Sequence, residues 1–216
     1  MNEGYNEVLR SIGSSDPTPG GGSVAALSLA HAHSLAMMVA RLTVGKKKWA
    51  EGHEVAQSVI YESQVGMAEA MRLAEIDAEA FESVMAAYRL PRDTEEQKTE
   101  RAKSIRDATI GAAEAPLATA SGARKLLSNL EKLCASCNAN ALTDLASASE
   151  LSLSAVKMAA MNVRINLEFI EGDDVDRLAS QINKVVLKST ASAEAITLQV
   201  NERLGWCFYA NCALWL

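Results

Sequence analysis

The chain has 216 residues and a mass of 23.1 kDa; 49% of its residues are hydrophobic but only 5% are aromatic, and alanine alone contributes 37, so its apolar mass is small and aliphatic. That length supports a core that needs no disulfides, and a charged share of 22% excludes a disordered chain. A net charge of −6 excludes a general phosphate-tracking surface, so no nucleic-acid partner is expected and any anion site must be local.

The first residues lack the cationic start and apolar run of a secretory signal, so a cytoplasmic location is expected. A short helix over about 2–12 leads into Gly13-Ser-Ser-Asp-Pro-Thr-Pro-Gly-Gly-Gly-Ser23, a turn cluster. From Val24 to Val44 the first charge is Arg41. Ser28, His31, His33 and Ser34 interrupt this run and its alanines make it weakly hydrophobic, so the buried central helix of a bundle is expected rather than a membrane span.

After Gly45 and the Lys46-Lys47-Lys48 triplet, a long helix runs from near Ala50 to Arg89, with Gly66 as a candidate bend and Leu90-Pro91 as its stop. Thr94-Glu-Glu-Gln97 is a capping-box pattern that opens the next helix. Pro116 is expected to divide or kink the stretch from Ala102 to Cys134. Helices over Asn138 to Phe169 and Asp174 to Leu204 follow, separated by a turn at Glu171-Gly172-Asp173. No alternating β-type run appears, so the fold class is all-α, a single-domain bundle of long packed helices. Cys134, Cys137, Cys207 and Cys212 are expected as free thiols, and no metal site is expected.

Four features carry possible chemistry. Gly20, Gly21, Gly22 and Ser23 stand where a helix begins; they are either an anion-binding turn or a connector with Ser23 as N-cap. Lys46 and Lys47 lie where the cation-favouring end of that helix should fall, as solvated surface or as a grip for a polyanionic tail. On the following helix, Met67, Met71, Ala74, Ala78, Phe81 and Met85 recur as the core ridge, with Leu73, Asp77, Ala80, Val84 and Tyr88 flanking it. Asp77 is then the one carboxylate among apolar neighbours. It is either an aspartate satisfied by a local partner or a proton carrier whose pKa burial raises. Finally, Asp144 and Asn162 are 18 residues apart and share an angular position, with Asn166 beside them. They pair across helices or line a pocket.

The stretches DPTPGGGSVAAL (16–27), LTVGKKKW (42–49), DAEAF (77–81), LPRDTEEQK (90–98), APLA (115–118) and NVRINL (162–167) resemble the cyclodeaminase domain of formiminotransferase-cyclodeaminases and the stand-alone methenyltetrahydrofolate cyclohydrolases. The resemblance extends in order to about residue 204. It implies a folate enzyme, a homodimer with its pocket near the dimer interface, and no cofactor beyond the tetrahydrofolate substrate, which could be polyglutamylated. It implies interconversion of 5,10-methenyltetrahydrofolate and 10-formyltetrahydrofolate, or alternatively cyclodeamination of 5-formiminotetrahydrofolate with release of ammonia; a scaffold dimer without turnover is the contrasting reading. It places acid/base catalysis on Asp77; beside that chemistry Asp144 is expected to stabilise the cationic amidine or orient the pterin. Gly20, Gly21, Gly22, Ser23, Lys46, Lys47, Asn140, Asn162 and Asn166 form the expected substrate-binding set. Residues 205–216 depart from the family pattern and hold four of the ten aromatics, so the domain is expected to span 1–204 with an atypical apolar tail after it.

Overall fold

The computed structural model describes residues 3–206, and among them all regular structure is helical. The order is α1 (Glu3–Ile12), α2 (Gly21–Thr43), a 3-10 turn (Lys47–Gly52), α3 (His53–Tyr88), α4 (Glu95–Ser136), a short 3-10 turn (Ala139–Ala141), α5 (Leu142–Leu167) and α6 (Asp173–Leu204). Residues 207–216 of the expected tail lie outside the described residues.

Helix α2 packs against α3 on one side and α5 on the other, while α4 spans from α3 across to α5 and α6. By length and composition α2 could cross a membrane, but 61% of its most apolar window is buried in the bundle. Its alanines at 25, 26, 32, 36 and 40 are almost wholly enclosed. Small side chains there let three helices approach closely, and leucines 126, 127, 130 and 133 of α4 fill the space beyond.

Three sequence expectations need correction. The ridge of α3 that enters the core is Ala56, Val59, Ser63, Ala70 and Leu73, while Met71 and Phe81 are exposed. Steps of three and four residues continue this ridge from Leu73 to Asp77, so the aspartate lies on the core seam itself rather than beside it. Gly66, also on this line, does not break the helix; an added Cβ would overlap the His33 imidazole, so the glycine admits that ring.

Second, α4 runs unbroken through Pro116. A proline cannot donate to the carbonyl four residues earlier. That acceptor, the Ala112 oxygen, instead receives the side-chain amide of Asn166 on α5 at 2.9 Å. The Thr94 capping box forms as expected. Third, α2 begins at Gly21 rather than Val24, with Gly20 as N-cap, so Ser23 is not the N-cap but the third residue inside the helix.

The bundle ends are tied by polar clasps. Arg106 grips Asp174 through two hydrogen bonds of 2.7 and 3.0 Å and the Glu171 carbonyl at 3.0 Å, joining α4 to the start of α6. Arg203 donates to the carbonyls of Cys134 and Cys137, closing the end of α4. Both thiols are buried and free, and burial pushes Cys134 up to about 12.

Candidate active site

The first turn of α2 is wedged between α3 and α5. Because the helix starts at Gly21, the amides of Gly21, Gly22 and Ser23 have no intrahelical acceptor. The Ser23 hydroxyl donates to the Asp77 carboxylate at 3.0 Å, and the Ser23 backbone amide also favours the ionised form of that group. A carboxylate from α3, 54 residues away in sequence, thus stands at the positive end of α2. Gly22 makes this contact possible, since a Cβ there would overlap the Asp77 carboxyl group.

Asp77 is partly exposed, as a group that exchanges protons with a ligand must be. Burial raises its pKa above the ordinary aspartate value, and the hydroxyl and N–H of Ser23 oppose part of that shift. The net direction is upward, toward the range where a carboxyl group can both take and return a proton.

On the other side of the turn stands Asn162 of α5. Its amide nitrogen lies 3.4 Å from where a Gly21 Cβ would be and donates to the Met158 carbonyl at 2.9 Å. Asn166, one turn on, donates to the carbonyls of Asn162 and Ala112, both at 2.9 Å. The expectations for Gly21, Gly22, Ser23, Asp77 and Asn162 therefore converge on one place, with Gly20 as the helix cap. Asn166 adjoins it, with its amide committed to backbone.

The remaining expected residues stand elsewhere. Asp144 is in the first turn of α5, about 27 Å along the helix from Asn162 at 1.5 Å per residue. Lys46 and Lys47 follow the C-terminal end of α2, about 35 Å from Gly21 by the same rise. Asn140 belongs to that far end as well, where Asn138 bonds the Leu42 carbonyl and the Thr43 hydroxyl at 3.0 Å each. Within one chain the lysines and the glycine turn therefore do not grip the same part of a ligand, because the whole of α2 separates them. The Ser23–Asp77 pairing was absent from the sequence expectations. Its only local signal is the position of Ser23 two residues after Gly21, informative only once the helix start is known.

The profile of the formiminotransferase-cyclodeaminase family matches residues 4–184. A methenyltetrahydrofolate cyclohydrolase from Methylorubrum extorquens is 35% identical over 170 residues, covering 79% of this chain and 82% of that protein. The formimidoyltransferase-cyclodeaminase of Gallus gallus is 29% identical over 195 residues; the match covers 90% of this chain but 36% of that longer protein. Among solved structures, a formiminotetrahydrofolate cyclodeaminase from Thermotoga maritima superposes with a TM-score of 0.78 at 26% identity, covering 95% of this chain and 96% of that one. On the match over residues 4–184, with the cyclohydrolase identity beside it, the chain belongs to the formiminotransferase-cyclodeaminase family.

Proposed function

We propose that this protein is a methenyltetrahydrofolate cyclohydrolase in which Asp77 carries the proton. The observation that carries the reading is a carboxylate with a raised pKa, held by Ser23 against the glycine-opened first turn of α2, in a chain 35% identical to an enzyme of that name. Water adds to the cationic bridge carbon of 5,10-methenyltetrahydrofolate while ionised Asp77 accepts one of its protons. The tetrahedral adduct then collapses: its hydroxyl becomes the formyl carbonyl as the carbon–N5 bond breaks. N5 takes the proton back from Asp77, and the hydroxyl proton leaves to solvent. The products are 10-formyltetrahydrofolate and one proton.

The amides of Gly21 and Gly22 supply donors for anionic substrate groups, and Asn162 offers its side-chain oxygen beside them. The lysines at the far end of α2 would join this site only from a second copy, so a homodimer is part of the proposal. In that arrangement Lys46 and Lys47 of one subunit meet the glutamate tail of a folate, polyglutamylated or not, bound at the other.

The test is Asp77→Asn with 5,10-methenyltetrahydrofolate, followed by loss of its absorbance. A folded variant slower by about 10²–10⁴-fold is expected, and undiminished turnover rejects the assignment. A second reading, cyclodeamination of 5-formiminotetrahydrofolate, rests on the fold match to the Thermotoga enzyme. It uses the same aspartate, with ammonia leaving after N10 attacks the formimino carbon. Release of ammonia from that folate by the wild type, with no hydrolysis of the methenyl compound, would select it.

A further inference from the structure

In an acidic chain of net charge −6, residues 115–130 of α4 and 177–193 of α6 contain five lysines and arginines and no aspartate or glutamate. Lys125 is engaged with Glu62 at 2.9 Å. Three of the others, Arg124, Lys184 and Lys188, line one groove of about 350 Å³ between α4 and α6, with Leu117 and Val185 as its apolar part and Gln181 at its side. Among the described residues none of these three cations is in an ion pair. Lys184 and Lys188 are one helical turn apart, a like-charge spacing that weakens a helix unless an anion neutralises it. The nearest carboxylates along their own helices, Glu131 and Glu194, stand about 9–11 Å away by helical rise, beyond a screening length at physiological salt.

We propose that this groove binds a small polyanion carrying two or three phosphate or carboxylate groups. Arg124 reaches it from α4, and Lys184 and Lys188 from α6. Leu117 and Val185 floor the groove, and the three exposed cations stand around it, so the contacts are open to screening by salt. The volume falls at the small end of ligand sites, and three cations on a net acidic protein do not make a nucleic-acid track. The groove shares no residue with the Asp77 site, so the inference stands apart from the proposed activity.

Calorimetric titration of the full chain at low ionic strength tests it, with pyrophosphate and citrate as separate probes. One-to-one binding of at least one probe at submillimolar concentration is expected, weakening as salt rises. Lys184→Gln/Lys188→Gln and Arg124→Gln should each lose about tenfold or more in affinity, with a melting temperature no lower than the wild type's and unchanged folate turnover. Lys157→Gln, an exposed lysine of α5, should bind as the wild type does. Preference for pyrophosphate identifies a phosphate ligand, and preference for citrate a carboxylate one. Absence of binding for both probes at millimolar concentration overturns the proposal, as does an equal loss in Lys157→Gln, which would reflect net charge alone.

Discussion

Ser23 and Asp77 hold each other 3.0 Å apart across the start of α2: the serine hydroxyl donates to the carboxylate, and the carboxylate sits at the positive end of the helix that carries the serine. Two opposed effects meet in this pair. Burial disfavours the aspartate charge, and the Ser23 donors favour it, with burial the larger.

Ser23→Ala removes the hydroxyl donor and leaves the backbone N–H in place. The carboxyl pKa then rises further, because the larger effect loses part of its opposition. If the ionised form accepts the proton from water, the acidic limb of kcat/KM moves to higher pH, while the rate on the plateau changes less. A pH–rate profile of the two proteins measures this; superimposable limbs would mean that the Ser23 hydroxyl does not tune the reacting group.

Asp77 should also reduce stability at neutral pH. Its folded-state pKa is above the unfolded value, so the folded protein holds that proton more tightly. The stability linked to this proton is fully present below the ordinary aspartate range and is lost as pH rises through the folded pKa. Asp77→Asn removes the buried charge and keeps an acceptor for Ser23. We therefore expect it to melt no lower than the wild type at neutral pH while losing turnover, and its advantage to shrink in acid. Thermal melts across that range decide it. A variant that is inactive and also strongly destabilised at neutral pH would point to a structural aspartate.

The legibility of this site in the sequence turns on which ridge of α3 faces the core. Large methionines and Phe81 draw the eye, yet between Val59 and Leu73 the buried line runs through Ser63 and Ala70, with half-buried Gly66 on it, residues that carry little hydrophobicity and much closeness. In an alanine-rich bundle, side-chain size is a poor guide to burial, since close helix approach selects small residues at the seam. The all-helical class, the capping box at Thr94 and the convergence of Asp77 with the glycine turn were legible from periodicity, turn chemistry and resemblance. The distance of Asp144 and Lys46 from Asp77 was not. Periodicity places residues along and around one helix, but not which end of α3 packs beside which end of α2 and α5.

His33 supplies a second pH dependence of opposite sign. Its ring is 6% exposed, packed over Gly66, and its pKa is lowered from 6.5 to about 4 by burial and by the nearby Lys125 charge. Between those values the unfolded chain binds the proton and the folded protein does not, so stability present above 6.5 is lost as pH falls toward 4. The loss is about 3 kcal/mol if the whole shift is expressed. Denaturant unfolding at several pH values should show this slope in the wild type and a flatter one in His33→Gln, whatever the variant's absolute stability. Parallel slopes would exclude His33 as its source.

Asn166 admits two roles that a double variant separates. Its amide closes the Ala112 carbonyl that Pro116 leaves open, and it adjoins Asn162 at the glycine turn. Asn166→Ala leaves that partly buried acceptor without a donor, at a cost of about 1–3 kcal/mol. Pro116→Ala restores a backbone N–H, which can bond the Ala112 oxygen and complete the helical ladder without Asn166. If Asn166 acts through α4, Asn166→Ala combined with Pro116→Ala should recover both the melting temperature and the turnover lost in the single variant. If Asn166 contacts the folate, the double variant should recover stability while KM stays raised. A cycle of four proteins, each with a melting curve and a kcat and KM, distinguishes these outcomes, because the backbone repair supplies a hydrogen bond to Ala112 and nothing to a bound ligand.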